Sequence, residues 1–180
     1  MQAQDNQAGH SDNPTISSSE GSAPSPVAAA LQREHPEWVG EVIEALGETT
    51  IVVGREYIVA ACAFLKTAPG FQFNFLADLC GFDRGPEDDP RFEVNYHLFS
   101  TINYQRIRLK VILSEDDIHV PTVSHIWRTA NWHERETFDL FGVIFDGHPD
   151  LRRILLPDDW QGHALRKDFP LRGYEPYSLE

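Results

Sequence analysis

The chain has 180 residues, 28 acidic against 15 basic side chains, and a net charge of -13. That length suits one domain with a real core and flexible ends. The charge speaks against a nucleic-acid binder, which needs a basic face to displace phosphate counterions, and against an electrostatic membrane anchor, which needs clustered Lys and Arg. It favours solubility or a basic protein partner. Neither cysteine, Cys62 or Cys80, lies in a Cys-x-x-Cys pair. An iron–sulfur cluster takes four thiolates, so this chain does not hold one alone, and no disulfide framework is implied. No apolar run nears the roughly 20 residues that span a bilayer, and the N-terminus lacks the basic-then-apolar pattern of a signal peptide. A cytoplasmic protein, reaching any membrane only through partners, is the expectation.

Residues 1–26 are rich in Ser, Gln, Asn, Gly and Pro and read as a disordered tail, too polar to offset the entropy of ordering. Order is expected from Val27. A short turn should precede a helix over 36–46, because Val39, Val42, Ile43 and Leu46 recur at helical spacing and Gly47 offers a C-cap. TTIVV at 49–53 predicts a strand, EYIVAACAFLK at 56–66 a helix, and FQFNFLADL at 71–79 a strand with one buried face. An acidic loop, GFDRGPEDDP, follows. FEVNYHLFS and QRIRLKVIL then alternate as two strands of an antiparallel hairpin. Arg106, Arg108 and Lys110 point to one side of the second strand. They make either a solvated sheet face or a surface for an acidic partner. A helix is expected over 123–141, with a break near Thr129 and Gly142 as its stop. From residue 143 the chain loses periodicity. Its Ile154, Leu155, Leu156, Trp160, Leu165, Phe169 and Leu171 are too apolar for a linker, so the segment reads as an arm lying on another protein.

Residues 131–142, NWHERETFDLFG, concentrate charge between apolar side chains. A metalloprotease helix needs a second histidine four residues after the first, and Thr137 stands there instead. Paired carboxylates among Glu134, Glu136 and Asp139 have nothing around them that marks a sugar site. Cys62 and Cys80 read as core residues. An ion-pair cluster explains more. Arg135 and Asp139 stand four apart and can pair. Trp127, Ala130, Glu134, Phe138 and Phe141 share a helical face, which buries Glu134 and obliges it to find a partner. Candidates are Arg152, Arg153 or a basic group on another chain. The cluster reads as a latch between helix, tail and partner. No catalytic, cofactor-binding or metal-ligating residue is assigned. The rival of another class is a free-standing metal-dependent hydrolase using His133 and Glu134.

The run from Trp132 to Trp160, containing ERE-x-x-DLFG and GHPDLRRILLP, resembles the signature of the 30 kDa subunit family (the C subunit) of the proton-pumping NADH:quinone oxidoreductase, respiratory complex I. GHALRKDFP at 162–170 is similar to a second family motif, with Ala164 where the family commonly has Pro. FLADLCGFDR and the hairpin also resemble it. The resemblance implies an α+β fold: a two-layer domain over 27–142 with a mixed sheet, followed by an extended C-terminal arm over 143–180. It implies a structural subunit of the hydrophilic arm, contacting the B, D and I subunits, peripheral on the cytoplasmic side of a bacterial inner membrane. FMN, iron–sulfur clusters and quinone would belong to the partners, with no cofactor in this chain. A scaffold subunit of a related membrane-bound hydrogenase or quinone oxidoreductase is the nearest alternative. The residues expected to serve assembly are Glu134, Arg135, Glu136 and Asp139 with Gly142, Arg152 and Arg153. His148 and Pro149 should set the turn into the arm, with a proton relay as the other reading of His148. Arg166, Lys167 and Arg172 should meet acidic groups on partners unless they are plain surface charges.

Overall fold

A computed structural model describes residues 25–173. The tail up to residue 24 and the end of the arm at 174–180 lie outside the described residues. Strands β1 (Val39–Ala45), β2 (Glu48–Val53), β3 (Phe75–Asp83), β4 (Phe92–Phe99) and β5 (Arg106–Leu113) form a sheet ordered β1-β2-β5-β4-β3. Within it β2 and β5 pair in parallel and the other neighbours antiparallel, so the sheet is mixed. Helices α1 (Pro26–Glu34), α2 (Ile58–Thr67) and α3 (Ala130–Phe141) complete an α+β domain, and β6 (His119–Pro121) pairs in parallel with β7 (Ile144–Asp146).

Alternation decides the two sheet faces. Val94, Tyr96 and Leu98 of β4 and Ile107, Leu109 and Val111 of β5 join Leu31 of α1 and Ile58 and Leu65 of α2 in one buried core. The intervening Glu93, Asn95, His97 and Phe99, with Arg106, Arg108 and Lys110, take the other face. There the basic residues are engaged: Arg108 with Glu48 at 2.5 Å, Lys110 with Glu93 at 2.7 Å, and Arg106 over the Phe99 ring.

The helix expected over 36–46 is one short helical turn at Pro36–Trp38 and then strand β1. A bulge between Val39 and Val42 resets the alternation, and that skipped position is what imitated helical spacing. Leu46 and Gly47, at φ 54 and 77, form the tight hairpin turn to β2, so Gly47 is a turn residue and not a helix cap. The residues before it, expected to form only a turn, make α1. Strand β3 runs about four residues later than expected and takes in Gly81–Asp83 from the supposed loop, because the chain is still turning at Gln72, with φ 46. The last helix starts at Ala130; residues 123–129 form turns.

Helix α3 lies against β3, and Gly81 makes the close approach. A Cβ at Gly81 would sit 2.6 Å from the Phe141 ring and 3.0 Å from the Thr137 methyl. Gly81→Ala should therefore cost about 1–3 kcal/mol through overpacking, read as a lower urea midpoint with an unchanged m-value.

Candidate functional site: the latch between helix and arm

Asp139 is fully buried, and every oxygen of its carboxylate has donors. Oδ1 takes Nη1 of Arg153 at 2.6 Å. Oδ2 takes three successive backbone N–H groups, those of Ile154 at 3.0 Å, Leu155 at 2.8 Å and Leu156 at 2.9 Å. Burial alone would raise the carboxyl's pKa; the Leu156 amide, the Arg153 guanidinium and the other two amides outweigh it and hold it below the usual range.

The same arm satisfies the end of α3. A helix leaves its last four carbonyls without intrahelical partners. Here Phe138 O accepts from the Gly142 N–H, Asp139 O from Arg153 and from His163 Nδ1, Leu140 O from the Leu165 N–H, and Phe141 O from Arg166 Nε at 2.7 Å. Two guanidinium groups at the negative end of the helix dipole add a favourable field. Gly142, at φ 78, ends the helix in the left-handed region, and a Cβ there would stand 2.6 Å from both Arg166 and His163. Only glycine meets both demands.

Arg135 does not pair with Asp139. Its Nε donates to Arg152 O at 3.1 Å and its Nη2 to Arg153 O at 2.9 Å, while Arg153 Nη2 reaches Trp160 O and Gly162 O. Arg153, entering from outside the helix, has the geometry for the carboxylate that a neighbour one turn away lacks.

Glu134 is likewise fully buried, but Arg152 and Arg153 are not its partners. It accepts from the Thr122 hydroxyl and from the Val123 N–H at 2.7 Å. Burial dominates and lifts its pKa to about 7, against smaller lowering by those two donors. His148 Nε2 stands 3.8 Å away. Its ring is already bonded on both sides, with Nε2 to Asn131 O at 3.1 Å and Nδ1 accepting the Asp150 N–H at 3.0 Å, which closes the turn at Pro149. Glu136 and Arg152 are exposed, the Arg152 guanidinium reaching Asp150 at 3.0 Å. Phe138 and Phe141 are half-buried, so the helix buries charge more deeply than its aromatics.

A second ion cluster pins the arm further on. Arg91, 1% exposed, makes a two-pronged bond to Asp83 at 2.8 and 2.9 Å and also meets Asp168 at 2.8 Å and Glu115 at 2.7 Å. The Lys167 N–H donates to Asp83 Oδ2 at 2.7 Å. The Lys167 ammonium lies over the Phe82 ring, and Arg166 over that of Phe92. Burial would raise the Asp83 carboxyl, but Arg91 and the Lys167 amide reverse that. Sequence reasoning assigned no pairing to Asp83, Arg91, Asp168, Thr122 or His163. The available signal was Arg91 itself, a cation at the end of an acidic loop and just before a strand. The arm, expected to lie on another protein, is thus engaged with its own domain at Arg153, Leu165, Arg166 and Asp168, and its residues 144–146 form β7.

A model of the family described as respiratory-chain NADH dehydrogenase, 30 kDa subunit, matches residues 51–175. The chain belongs to that family. The match takes in the latch, both partners of the Asp139–Arg153 pair, and the Arg91 cluster. The NADH-quinone oxidoreductase C subunit numbered 2 in Rhizobium meliloti (strain 1021) is 51% identical over 140 residues, 76% of this chain and 76% of that protein. The NADH-quinone oxidoreductase C subunit of Roseiflexus sp. (strain RS-1) is 48% identical over 149 residues, 83% of this chain and 85% of that protein. Among solved structures, the trypsin-resistant fragment (1-134) of Nqo5 is 36% identical with a TM-score of 0.59, covering 68% of this chain and 97% of the fragment. A chain of an archaeal membrane-bound sulfane sulfur reductase shares the fold, at 22% identity and a TM-score of 0.65, over 81% of this chain and 84% of that one.

Asp139→Asn leaves the largely covered Arg153 beside a neutral amide, and should cost about 2–3 kcal/mol. The expected readout is a melting temperature lower by several degrees and faster tryptic cleavage within the arm, with exposed Glu136→Gln as an unaffected control. Glu134 predicts a pH dependence. Its folded pKa, about 7, exceeds the ordinary 4.5, so the fold favours the protonated acid. Its contribution is intact below the unfolded value and is lost as pH rises toward 7, a loss on the order of 3 kcal/mol. Glu134→Gln should abolish that loss: its melting temperature relative to wild type should climb between about pH 5 and about pH 7.5.

Proposed function

We propose that this chain is a structural and assembly subunit of the hydrophilic arm of a proton-translocating NADH:quinone oxidoreductase. In this reading it docks on the B, D and I subunits, is peripheral on the cytoplasmic side of a bacterial inner membrane, and reaches the membrane only through those partners. NADH oxidation, FMN, the iron–sulfur clusters and quinone reduction belong to the other subunits, and this chain carries no catalytic residue and no redox cofactor.

The family match over 51–175 carries the reading. The site's geometry supports it. Glu134, Arg135, Asp139, Arg153 and Arg166 direct their hydrogen bonds to this chain's own groups, and so build a shape. Around that latch Trp132, Leu155, Leu165 and Leu171 stand 53–102% exposed, an apolar fringe of the kind that neighbouring proteins cover in an assembly. None of the described helices is long and apolar enough to cross a membrane. The hydrolase alternative gains nothing, because its two residues diverge: His133 faces Asp78 at 3.5 Å near the surface, while Glu134 is buried against Val123.

A tagged chain drawn from gently solubilised native membranes should bring down cluster-bearing and membrane subunits with NADH:quinone activity. Membrane partners without NADH activity would place it in a related hydrogenase or quinone oxidoreductase. A lone chain with hydrolytic activity would overturn the assignment.

A further inference from the structure

Cys80 is not a core residue. It lies on β3 on the face opposite the core, half-buried beside Asp78 and facing β4. In the strand register Asp78 stands opposite His97 and Cys80 opposite Asn95, so these four side chains form one patch. The thiol sulfur, an imidazole nitrogen of His97 and a carboxylate oxygen of Asp78 all lie within 4.8 Å of one another. His133 of α3 brings a further nitrogen to 3.5 Å from the Asp78 carboxylate.

We propose that Asp78, Cys80 and His97 form a binding site for a borderline divalent ion such as Zn2+, with a water completing the shell. One thiolate, one imidazole nitrogen and one carboxylate, with a water as fourth ligand, make a donor mix that zinc accepts in a tetrahedral shell. Binding converts the Cys80 thiol to thiolate and releases its proton to solvent, since the metal takes the anion.

Two observations besides the triad support a ligand here. The buried Oδ1 of Asn95, cross-strand from Cys80, has no hydrogen-bond partner among the described residues. An orphaned buried acceptor costs free energy, and a water bound to the ion would supply the missing donor. A groove of about 700 Å3, lined by Phe75, Phe99 and Arg106, opens directly at Asp78 and His97 and gives an ion a route in. Of the two arginines lining the groove, Arg108 is tied to Glu48 at 2.5 Å, which offsets its repulsion, and Arg106 lies over the Phe99 ring. The ion would join β3 to β4 on the face of the sheet away from both ion clusters of the arm. The site is independent of the assembly reading, and either stands if the other falls.

The test uses the full, tag-free chain. Zn2+ is titrated in competition with a chromophoric chelator, and Co2+ is added separately as a spectroscopic probe. One ion per chain, about one proton released per ion near neutral pH, and a thiolate-to-cobalt charge-transfer band are the expected results. Cys80→Ser should remove the band, and His97→Gln should weaken binding about tenfold or more, while exposed His125→Gln changes neither. Circular dichroism of each variant separates loss of the site from loss of the fold. No saturable binding by the folded wild type overturns the proposal, and so does binding that folded Cys80→Ser leaves unchanged.

Discussion

The structure depends on one buried carboxylate. Asp139 sits at the last turn of α3, where three of the helix's final carbonyls and its own acidic group would otherwise face an unfavourable interior. A carboxylate in that place is tolerable only with several donors, and the helix that carries it has none to give. The arm supplies them all: three consecutive amides from Ile154–Leu156 and the guanidinium of Arg153. The need runs both ways. The amides at 154–156 belong to no helix or strand and would themselves lack partners. The acid thus fixes the path of an aperiodic segment that has no hydrogen-bonding pattern of its own.

Arg91 plays the complementary part on the sheet. Its guanidinium is nearly inaccessible, and it gathers Asp83 from the end of β3, Glu115 from beyond β5 and Asp168 from the arm. A buried ion cluster of this kind contributes little net stability, because desolvation cancels much of the attraction. It does penalise any other placement of the arm, since each misplaced partner leaves a charge buried and unpaired. Two such clusters, one on α3 and one on the sheet, hold the arm at Ile154–Leu156 and again at Lys167–Asp168. The exposed Trp132, Leu155, Leu165 and Leu171 are thereby held on a defined surface instead of a floating tail. That is the property a scaffold protein needs, because order imposed in advance lowers the entropic cost of docking.

Much of the fold was legible because alternation is a strong signal. Strands β4 and β5, their hairpin, β2 and α2 follow directly from apolar periodicity. The strand at 39–45 was misread because one bulge converts a period of two into spacings of three and four, and nothing local distinguishes that from a helix. Charge was legible in kind but not in pairing. Glu134, Arg135, Asp139 and Arg153 stood out, yet sequence distance suggested Arg135 with Asp139, whereas the observed partner is fourteen residues on. Thr122 and the Val123 amide, which receive Glu134, carry no sequence mark at all: their role exists only because the turns at 123–129 replace a predicted helical stretch. The arm's affinity for its own domain was hidden for a related reason. It rests on backbone carbonyls and amides, which every residue possesses.

Glu134 and Asp139 show how far chemistry departs from composition. Both are carboxylates on one helix, five positions apart, and both are fully buried. Four donors, one of them a cation, keep Asp139 ionised. Two neutral donors are too few for Glu134, and burial prevails, so its pKa rises to about 7. The ionised residue organises the arm; the other seals the turn between β6 and α3, where burial favours its protonated form. Neither opens to a substrate. Two acids inside one small protein are intelligible as architecture: the acid that must stay charged recruits the arm, and the acid that need not be charged is packed where, among the described residues, no Arg or Lys bonds it.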